Sequence, residues 1–278
     1  MPHRRRDVPA DPAGFNELRG RIVERYPGLS HQQQQIASFA LANPETMAME
    51  TADQLGKRLG VQPSALVRFA HALDYSGFRE MKQRFKAHLL FRSGDAGARP
   101  ADVPTTAGGS MEPAGIASEL LSRGIAELER LRRELDGDAF RAAVELLRAA
   151  PQPCVTAQHL AYPMAALLAW SLIRHGRPCL MLDNTGGYAL PQAGLLRADD
   201  LLVAISIAPY QPSVVQAVQA HAERGGKVLA ITDTPLSPLA PHATVLLELP
   251  CLAAAGTTPL VGLTCIVQAL AIAAGGGA

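Results

Sequence analysis

The sequence is poor in aromatic residues and in cysteine. Aromatic residues make up 5% of its 278 residues, and there are four cysteines. Cys154, Cys179, Cys251 and Cys265 lie far apart and form no C-x-x-C pair, which argues against a zinc site and a disulfide framework. We therefore expect the four cysteines to act as small buried hydrophobic residues in a reducing compartment. We expect no bound metal and no other cofactor.

Long apolar runs are also missing. Residues 260–274 form the longest one, which is shorter than the ~20 residues needed to span a bilayer and is interrupted by Thr264 and Gln268. This run predicts a core or interface helix. The basic N-terminal sequence MPHRRRD is not followed by an apolar segment, which argues against a secretory signal. These absences predict a cytoplasmic protein.

The chain has the composition of a globular protein, but its charge is divided unevenly. It is 48% hydrophobic and 18% charged, and 278 residues are enough for two domains. Residues 1–100 hold 15 Lys and Arg against 10 Asp and Glu, whereas the remainder holds 11 against 15. The N-terminal part is therefore basic, which is the charge that contacts with phosphates require.

Residues 51–85 predict two short helices joined by a glycine turn and followed by a basic third helix. Thr51 and Gln54 form a capping box that begins the first helix, and Gly60 ends that helix. Pro63 suits the first position of the second helix, where its missing N–H is no loss. One face of the second helix is apolar at helical spacing, with Leu66, Phe69, Ala70 and Leu73.

The opposite face of the second helix is predicted to carry Gln62, Ser64, Ala65, Arg68 and His71. Small residues at the start of the helix allow close approach to DNA, and Arg68 can reach a guanine edge or a phosphate. Spacing alone leaves two interpretations open. One is a DNA-reading helix pair, and the other is a helical hairpin packed into a larger core with Arg68 solvated.

Composition and patterning divide the chain into four segments. We expect a disordered tail at residues 1–14, an all-helical domain at 15–92, a linker at 93–113 and an α/β domain at 114–274. Within the helical domain, Ser30 and Gln33 form a second capping box. The linker is assigned because it is rich in Gly, Pro, Ser and Thr and has hardly any large apolar residue.

The last domain begins with two amphipathic helices and then alternates short apolar runs with helical segments. The predicted strands are residues 154–156, 179–182, 201–205, 228–231 and 245–249. The predicted helices between them are residues 164–175, 188–196 and 213–224. This alternation predicts a parallel sheet sandwiched by helices on both faces.

A ligand crevice is expected at the carboxyl ends of these strands. The loops that reach this edge are residues 157–163, 206–212, 232–238 and 253–259. The candidate ligand-binding residues in them are His159, Tyr162, Ser206, Tyr210, Gln211, Asp233, Thr257 and Thr258. Several have an equally simple structural interpretation: a histidine that braces its loop, tyrosines that close the crevice, an aspartate in a turn and threonines that cap a helix.

The stretch VQPSALVRFAHALDYSGFREMKQRF resembles the signature of RpiR-type bacterial transcriptional regulators, V-S-P-A-T-V-x-R-F-x-x-x-L-G-Y-x-G-F-x-E-x-K. Three positions depart from it: Gln62 replaces Ser, Ala65 replaces Thr and Asp74 replaces Gly. The resemblance implies a helix-turn-helix domain. The residues expected to contact DNA are then Gln62, Ser64, Ala65, Arg68, His71, Tyr75, Arg79 and Lys82.

Residues 155–249 resemble the sugar isomerase (SIS) domain attached to RpiR-type regulators, in which two loops commonly hold the phosphate of a phosphosugar. Both loops are altered here. The first pattern, G-x-G-x-S, falls on Ala157, His159 and Ala161. The second, S-x-S-G-x-T, keeps Ser206 but has Ala208, Pro209 and Gln211 in the other positions. Phosphate binding is therefore an open question.

These observations predict a one-component transcription regulator that is not an enzyme. Its expected partners are a palindromic operator in double-stranded DNA and further copies of the chain, in a homodimer or homotetramer. A small-molecule effector is also expected, and phosphosugars are among the candidates for it. One alternative is a sugar-phosphate isomerase, but the crevice loops offer His159 and Asp233 and no Glu as a general base. The other is a regulator whose second domain only dimerises.

Overall fold

The computed structural model describes residues 12–95, 113–249 and 260–275. The chain splits into two compact units, Met1–Thr105 and Thr106–Ala278. Most of the predicted tail and linker lies outside the described residues. So do Cys251 and the last crevice loop with Thr257 and Thr258.

The first unit is helical throughout its described residues. Its helices are α1 (Pro12–Arg25), α2 (His31–Ala42), α3 (Pro44–Met49), α4 (Ala52–Leu59), α5 (Pro63–Ala72) and α6 (Phe78–Asp95). Both predicted capping boxes are present, at Ser30 and at Thr51. The sequence did not predict α3. The Asn43-Pro44 pair ends α2, but Pro44 then occupies the first turn of a new helix, where proline is tolerated.

The carboxyl end of α5 is held by two arginines of α1. Arg21 Nη1 donates to the carbonyl of Leu73 over 3.1 Å, and Arg25 Nη1 donates to the carbonyl of Ala72 over 2.6 Å. Asp74, which follows, has φ +64°, a conformation that favours glycine. This explains the family's Gly at that position. The Asp74 carboxylate also pairs with Arg25, whose hydrogen bond lowers the pKa of that carboxyl.

The second unit is an α/β sandwich. In chain order it contains α7 (Pro113–Glu134), α8 (Gly137–Ala149), β1 (Cys154–Ala157), α9 (Tyr162–Arg174), β2 (Leu180–Leu182), α10 (Ala189–Leu195), β3 (Leu201–Ile205), α11 (Pro212–Ala222), β4 (Lys227–Thr232), β5 (Val245–Glu248) and α12 (Val261–Gly275). All strand pairs are parallel, in the order β2-β1-β3-β4-β5. The predicted strands are confirmed to within one residue and the helices between them to within two.

Helices cover both faces of the sheet. Alternate residues of β3 belong to two separate apolar clusters, Leu201, Val203 and Ile205 to one and Leu202 and Ala204 to the other. The first cluster includes residues of α8, α9 and α12, and the second includes residues of α10 and α11. Burial on both faces explains why the central strands β1, β3 and β4 are nearly continuous apolar runs. In the described part of the chain, no helix is long and apolar enough to cross a membrane.

Candidate nucleic-acid interface and ligand cleft

Helices α4 and α5 form a tight helix-turn-helix pair because two glycines allow the turn. Gly60 ends α4 with φ +66°, where a side chain would be strained. Gly56 lies inside α4, and a Cβ added there would stand 2.8 Å from the carbonyl oxygen of Val61. The turn therefore packs directly on the backbone of α4, and Pro63 begins α5 immediately afterwards.

The exposed face of α5 carries residues at helical spacing. Ser64, Val67, Arg68 and His71 are all exposed, and Gln62 is exposed just before the helix. Arg68 Nη1 lies 3.3 Å from Ser64 Oγ, and His71 Nε2 lies 3.0 Å from the carbonyl oxygen of Ser76. The face thus presents hydroxyl, guanidinium, imidazole and aliphatic groups together.

Val67 is the member of this face that sequence reasoning missed. Its side chain is 38% exposed. The signal was available, because Val67 lies three residues after Ser64 and four before His71, on the same stripe of the helix.

The predicted position of Ala65 on the exposed face is wrong. Ala65 is 1% exposed, since it lies one helical turn before Phe69 and shares its buried face. Tyr75 is also buried, at 6% exposure, with the guanidinium carbon of Arg21 5.6 Å from its ring centroid. Burial raises the pKa of the Tyr75 hydroxyl. Neither side chain is available to DNA in this structure.

Lys82 has a structural partner rather than a free ammonium group. Its Nζ donates to the carbonyl oxygens of Met49, over 3.3 Å, and of Glu50. It therefore caps the carboxyl end of α3, where a cation is favourable. Burial lowers the pKa of Lys82. Of the predicted contacts on α6, Arg79 remains exposed.

The second unit has a cleft where the direction of chain winding reverses. From β1 the chain goes to β2 on one side, and from β3 it goes to β4 and β5 on the other. Parallel sheets bind ligands at the carboxyl ends of strands on either side of such a reversal. A cleft of about 170 Å³ lies there. Its lining residues are Gln158, His159, Leu160, Ala161, Ser206, Ile207, Ala208, Pro209 and Gln211.

Three of the predicted ligand-binding residues line this cleft. They are His159, Ser206 and Gln211. His159 is exposed and has φ +54°, so its loop turns sharply before α9. Gln158 also lines the cleft and was not predicted. It directly follows β1, and that position was the available signal. Tyr162, at the start of α9, is 39% exposed and is not part of the lining.

Tyr210 and Asp233 do not line the cleft; they form hydrogen bonds that stabilise the loop after β3. The Tyr210 hydroxyl donates to Asp233 Oδ1 over 2.8 Å, and the Ala208 N–H donates to Asp233 Oδ2 over 3.2 Å. The Thr232 hydroxyl donates to Oδ1 as well, over 3.2 Å. Burial and the neighbouring carboxylate raise the pKa of Tyr210. Asp233 therefore holds the loop after β3 in place, a role that depends on tertiary contacts.

Comparisons with known proteins agree with this architecture. A model of the helix-turn-helix domain of the rpiR family matches residues 14–90, and a model of the SIS domain matches residues 146–273. The chain is 27% identical over 213 residues to the uncharacterized HTH-type transcriptional regulator YfhH of Escherichia coli, covering 76% of this chain and 74% of YfhH. It is 23% identical to the bifunctional protein glk of Paraburkholderia xenovorans, covering 82% of this chain but only 34% of glk.

Solved structures share the fold. The sugar isomerase domain of an RpiR transcription factor from Sphaerobacter thermophilus matches with a TM-score of 0.54 and 25% identity, over 57% of this chain and 89% of that one. The NanR protein of Vibrio vulnificus, solved with ManNAc-6P, matches with a TM-score of 0.52 and 19% identity, over 92% and 90% of the two chains. The chain thus combines a helix-turn-helix domain of the rpiR family at residues 14–90 with a SIS domain at residues 146–273, the domain organisation of an RpiR-type transcription regulator.

Proposed function

We propose that α5 enters the major groove of an operator and that its exposed face reads the base pairs. The observation that carries this proposal is the row formed by Ser64, Val67, Arg68 and His71 on one exposed face. Arg68 is suited to the O6 and N7 acceptors of guanine, and Val67 to the methyl group of thymine. Gln62 lies at the end of the helix that approaches the groove first.

Contacts with phosphates are proposed to come from the exposed basic side chains around α5. The candidates are Lys57 on α4 and Arg79 on α6, which are exposed on the helices that precede and follow α5 in the chain. Arg58 is different, because its Nε donates to both carboxylate oxygens of Glu50 over 3.1 Å. Phosphate contacts carry little sequence information but set the register of the protein on DNA.

The regulator is proposed to act as a homodimer on a palindromic site. Helix-turn-helix dimers contact two half-sites about 34 Å apart or a multiple of that distance. The long helix α7 supports a second copy as the partner, because it exposes an apolar stripe: Ile116 (48%), Leu120 (43%), Leu121 (70%) and Ile125 (60%). Exposed apolar patches of this kind mark interaction surfaces.

The cleft between β1 and β3 is the proposed effector site. NanR, a structural relative, was solved with a phosphosugar, ManNAc-6P, which supports a carbohydrate-related ligand for this fold. The effector would change operator affinity only to the extent that it binds the DNA-competent and the DNA-incompetent arrangements with different affinities. Binding of effector and of DNA must then influence each other equally.

A regulator without enzymatic activity is the simpler proposal. An isomerase needs a general base within reach of its substrate. Among the described lining residues of the cleft, His159 is the only titratable side chain, and it is exposed. The nearby Asp233 carboxylate is occupied by three hydrogen bonds.

Footprinting of the full-length protein on its own promoter region tests the proposed function. We expect protection of two half-sites with a two-fold symmetric sequence, retained when unspecific DNA is added in excess. Protection that disappears entirely under competition would leave only electrostatic binding and would contradict operator recognition.

A further inference from the structure

We propose that the cleft between β1 and β3 takes an uncharged ligand rich in hydroxyl or amide groups and excludes phosphate esters. This inference rests on the proposed effector site and specifies its chemistry. The two loops that line the cleft, their hydrogen bonds and the carboxylate behind them all point to the same ligand class.

The first argument is the charge of the lining. Its described residues include no Lys and no Arg, and His159 is the only one able to carry a positive charge. A phosphate dianion gives up a large hydration energy when it enters a cleft, and it regains that energy only from cations or from several N–H donors. The cleft supplies no fixed cation from its described lining.

The second argument is that several N–H groups in the loop after β3 and at the start of α11 are missing or already bonded. Proline has no N–H, and this loop contains Pro209 and begins α11 with Pro212. The N–H of Ala208 is already bonded to Asp233 Oδ2. In the first turn of α11, the N–H groups of Val214 and Val215 both donate to the carbonyl of Gln211, over 3.0 and 3.2 Å.

Two N–H groups at the end of the loop after β1 are also used in hydrogen bonds within the chain. The Ala161 N–H donates to the carbonyl of Gln158 over 3.2 Å, and the Tyr162 N–H donates to the carbonyl of His159. Pro163 then removes the next donor in the first turn of α9. Helix starts normally attract anions through these groups. At the starts of α9 and α11, Pro163 and Pro212 have no N–H, which leaves each helix start with fewer donors for an anion.

The third argument is the carboxylate of Asp233. It contacts the backbone of Ala208, which itself lines the cleft. The Asp233 carboxylate, held against this lining residue, would repel a second anion in the cleft. The environment is partly buried, so solvent screens this repulsion only weakly. The same contact that stabilises the loop therefore disfavours a phosphate.

The groups that do line the cleft suit a ligand that donates hydrogen bonds. Gln158 Nε2 donates to the carbonyl of Asp183 over 3.3 Å, and Gln211 Nε2 donates to the carbonyl of Pro209 over 3.4 Å. These bonds orient each amide so that its Oε1 is left to accept. Ser206 adds a hydroxyl, and Leu160 and Ile207 add apolar surface. Hydroxyl and amide N–H groups match acceptors, whereas ionised phosphate oxygens do not.

Ligand size narrows the class. The cleft volume of about 170 Å³ is below the roughly 300–1,000 Å³ of pockets for drug-sized molecules. A monosaccharide, a polyol or a small amide has the appropriate dimensions and the required donors.

The test is a thermal-shift screen of the full-length protein, followed by calorimetry. The probes are matched pairs of monosaccharides with and without a phosphate ester, together with small polyols, small amides and inorganic phosphate. We expect at least one uncharged probe to raise the Tm, while its phosphorylated partner and inorganic phosphate do not. Gln158→Ala and Gln211→Ala should each weaken that binding about tenfold, and Gln216→Ala, an exposed glutamine of α11 outside the lining, should not.

Two outcomes overturn the inference. One is a phosphorylated probe or inorganic phosphate that raises the Tm when the uncharged partner has no effect. The other is the absence of any shift with every uncharged probe. Footprinting in the same samples separates these results from failure of the proposed function, because operator protection would persist if only the ligand class is wrong.

Discussion

Arg68 is the side chain on which the proposed base contact depends most. It is exposed on α5, and Ser64 Oγ, 3.3 Å away, orients its guanidinium. The buried residues of the same helix, by contrast, hold α5 against the rest of the unit. Loss of Arg68 should therefore affect recognition and leave the fold intact.

We predict that Arg68→Ala weakens operator binding by about 1–3 kcal/mol, or roughly 5- to 150-fold, without lowering the Tm. Gel-shift titration at constant salt measures this change. Arg132→Ala, an exposed arginine of the second unit, is the matched control and should bind as the wild type does. Equal operator affinity in Arg68→Ala and the wild type would contradict the assignment of α5 as the reading helix.

His221 is a buried residue whose protonation should oppose folding. It is 0% exposed, its Nε2 lies 3.2 Å from the carbonyl oxygen of Asp200, and its Nδ1 has no hydrogen-bond partner. Burial is the main cause that lowers its pKa; the hydrogen bond with the Asp200 carbonyl opposes it, the charge of Arg224 adds to the lowering, and smaller effects of Lys227 and Asp200 raise the pKa. The folded protein therefore keeps this imidazole neutral.

The stability contribution of His221 is complete above the unfolded pKa of about 6.5 and is lost as the pH falls below it, because the unfolded chain then binds the proton more tightly. The loss reaches at most about 1.4 kcal/mol per pH unit until the folded pKa is reached. We predict that His221→Gln reduces the drop in urea midpoint between pH 7.5 and pH 5.5. An identical drop in both proteins would show that His221 does not titrate in this range.

At the scale of elements, the short helix α3 depends on a side chain from α6. A six-residue helix is marginal by itself, and Lys82 satisfies carbonyl groups at its carboxyl end. The lysine that the family signature suggests as a DNA contact therefore stabilises the unit that presents α5.

We predict that Lys82→Met lowers the free energy of unfolding by about 1 kcal/mol, because the charged hydrogen bonds are lost while the apolar stem is kept. Chemical denaturation measures the effect. Lys86→Met, which changes an exposed lysine of the same helix, should be close to neutral. If Lys82→Met retains full stability but loses operator affinity, the phosphate-contact interpretation is the correct one.

Helices α7 and α12 meet through a buried carboxylate. Glu127 is 4% exposed, and its Oε1 accepts the N–H of Gly262 over 3.0 Å, while Oε2 has no hydrogen-bond partner. A Cβ at Gly262 would stand 2.8 Å from that Oε1, so the glycine permits the approach. Burial raises the pKa of Glu127, although the hydrogen bond from Gly262 opposes it.

An acid with a raised folded pKa stabilises the fold below its unfolded pKa and loses that contribution as the pH rises through the folded pKa. We predict that Glu127→Gln, which keeps the acceptor without the charge, raises the free energy of unfolding by about 1 kcal/mol at pH 8. The gain should shrink toward pH 4.5. Thermal unfolding across this range tests it, and a gain that is constant with pH would exclude titration of Glu127 as its cause.

At the scale of the whole molecule, the chain separates two tasks into two compact units. The basic charge lies with the helical unit, and the acidic charge lies with the sheet unit. This division concentrates attraction to DNA on the part that carries α5. The proposed dimer interface on α7 lies in the second unit, separate from this basic region.

We predict that deletion of residues 1–92 leaves a folded dimer, because the sheet unit has its own apolar core. Light scattering after size-exclusion chromatography measures its mass. Leu121→Glu, in the exposed stripe of α7, should shift the truncated protein toward monomer. Ala126→Glu, which introduces the same charge at an exposed position on the other side of the same helix, serves as the control and should remain dimeric. A truncated protein that is monomeric without any substitution would contradict both the boundary and the proposed interface.

Features that depend on residues close in the sequence were predictable. The capping boxes at Ser30 and Thr51 and the turn at Gly60 involve partners within four residues, so their chemistry is visible in the sequence. The strand boundaries followed from continuous apolar runs, and the predicted parallel sheet implied a ligand crevice at the carboxyl ends of its strands, whereas the strand order that puts the cleft between β1 and β3 came from the structure.

Only the tertiary structure decided what individual polar side chains do. Lys82 and Tyr210 read as candidates for DNA and ligand, yet their partners lie more than 20 residues away along the chain. Ala65 was expected on the exposed face but is buried, and Val67, which had no predicted role, is exposed, because burial depends on how α5 packs and not on residue type. Except for α3, the sequence by itself determined the main helices and strands and their order along the chain, because local hydrogen bonding and hydrophobic periodicity act over a few residues. The hydrogen bonds that shape the cleft, such as the one from the Ala208 N–H to the Asp233 carboxylate, join residues 25 positions apart and were decided by the tertiary structure.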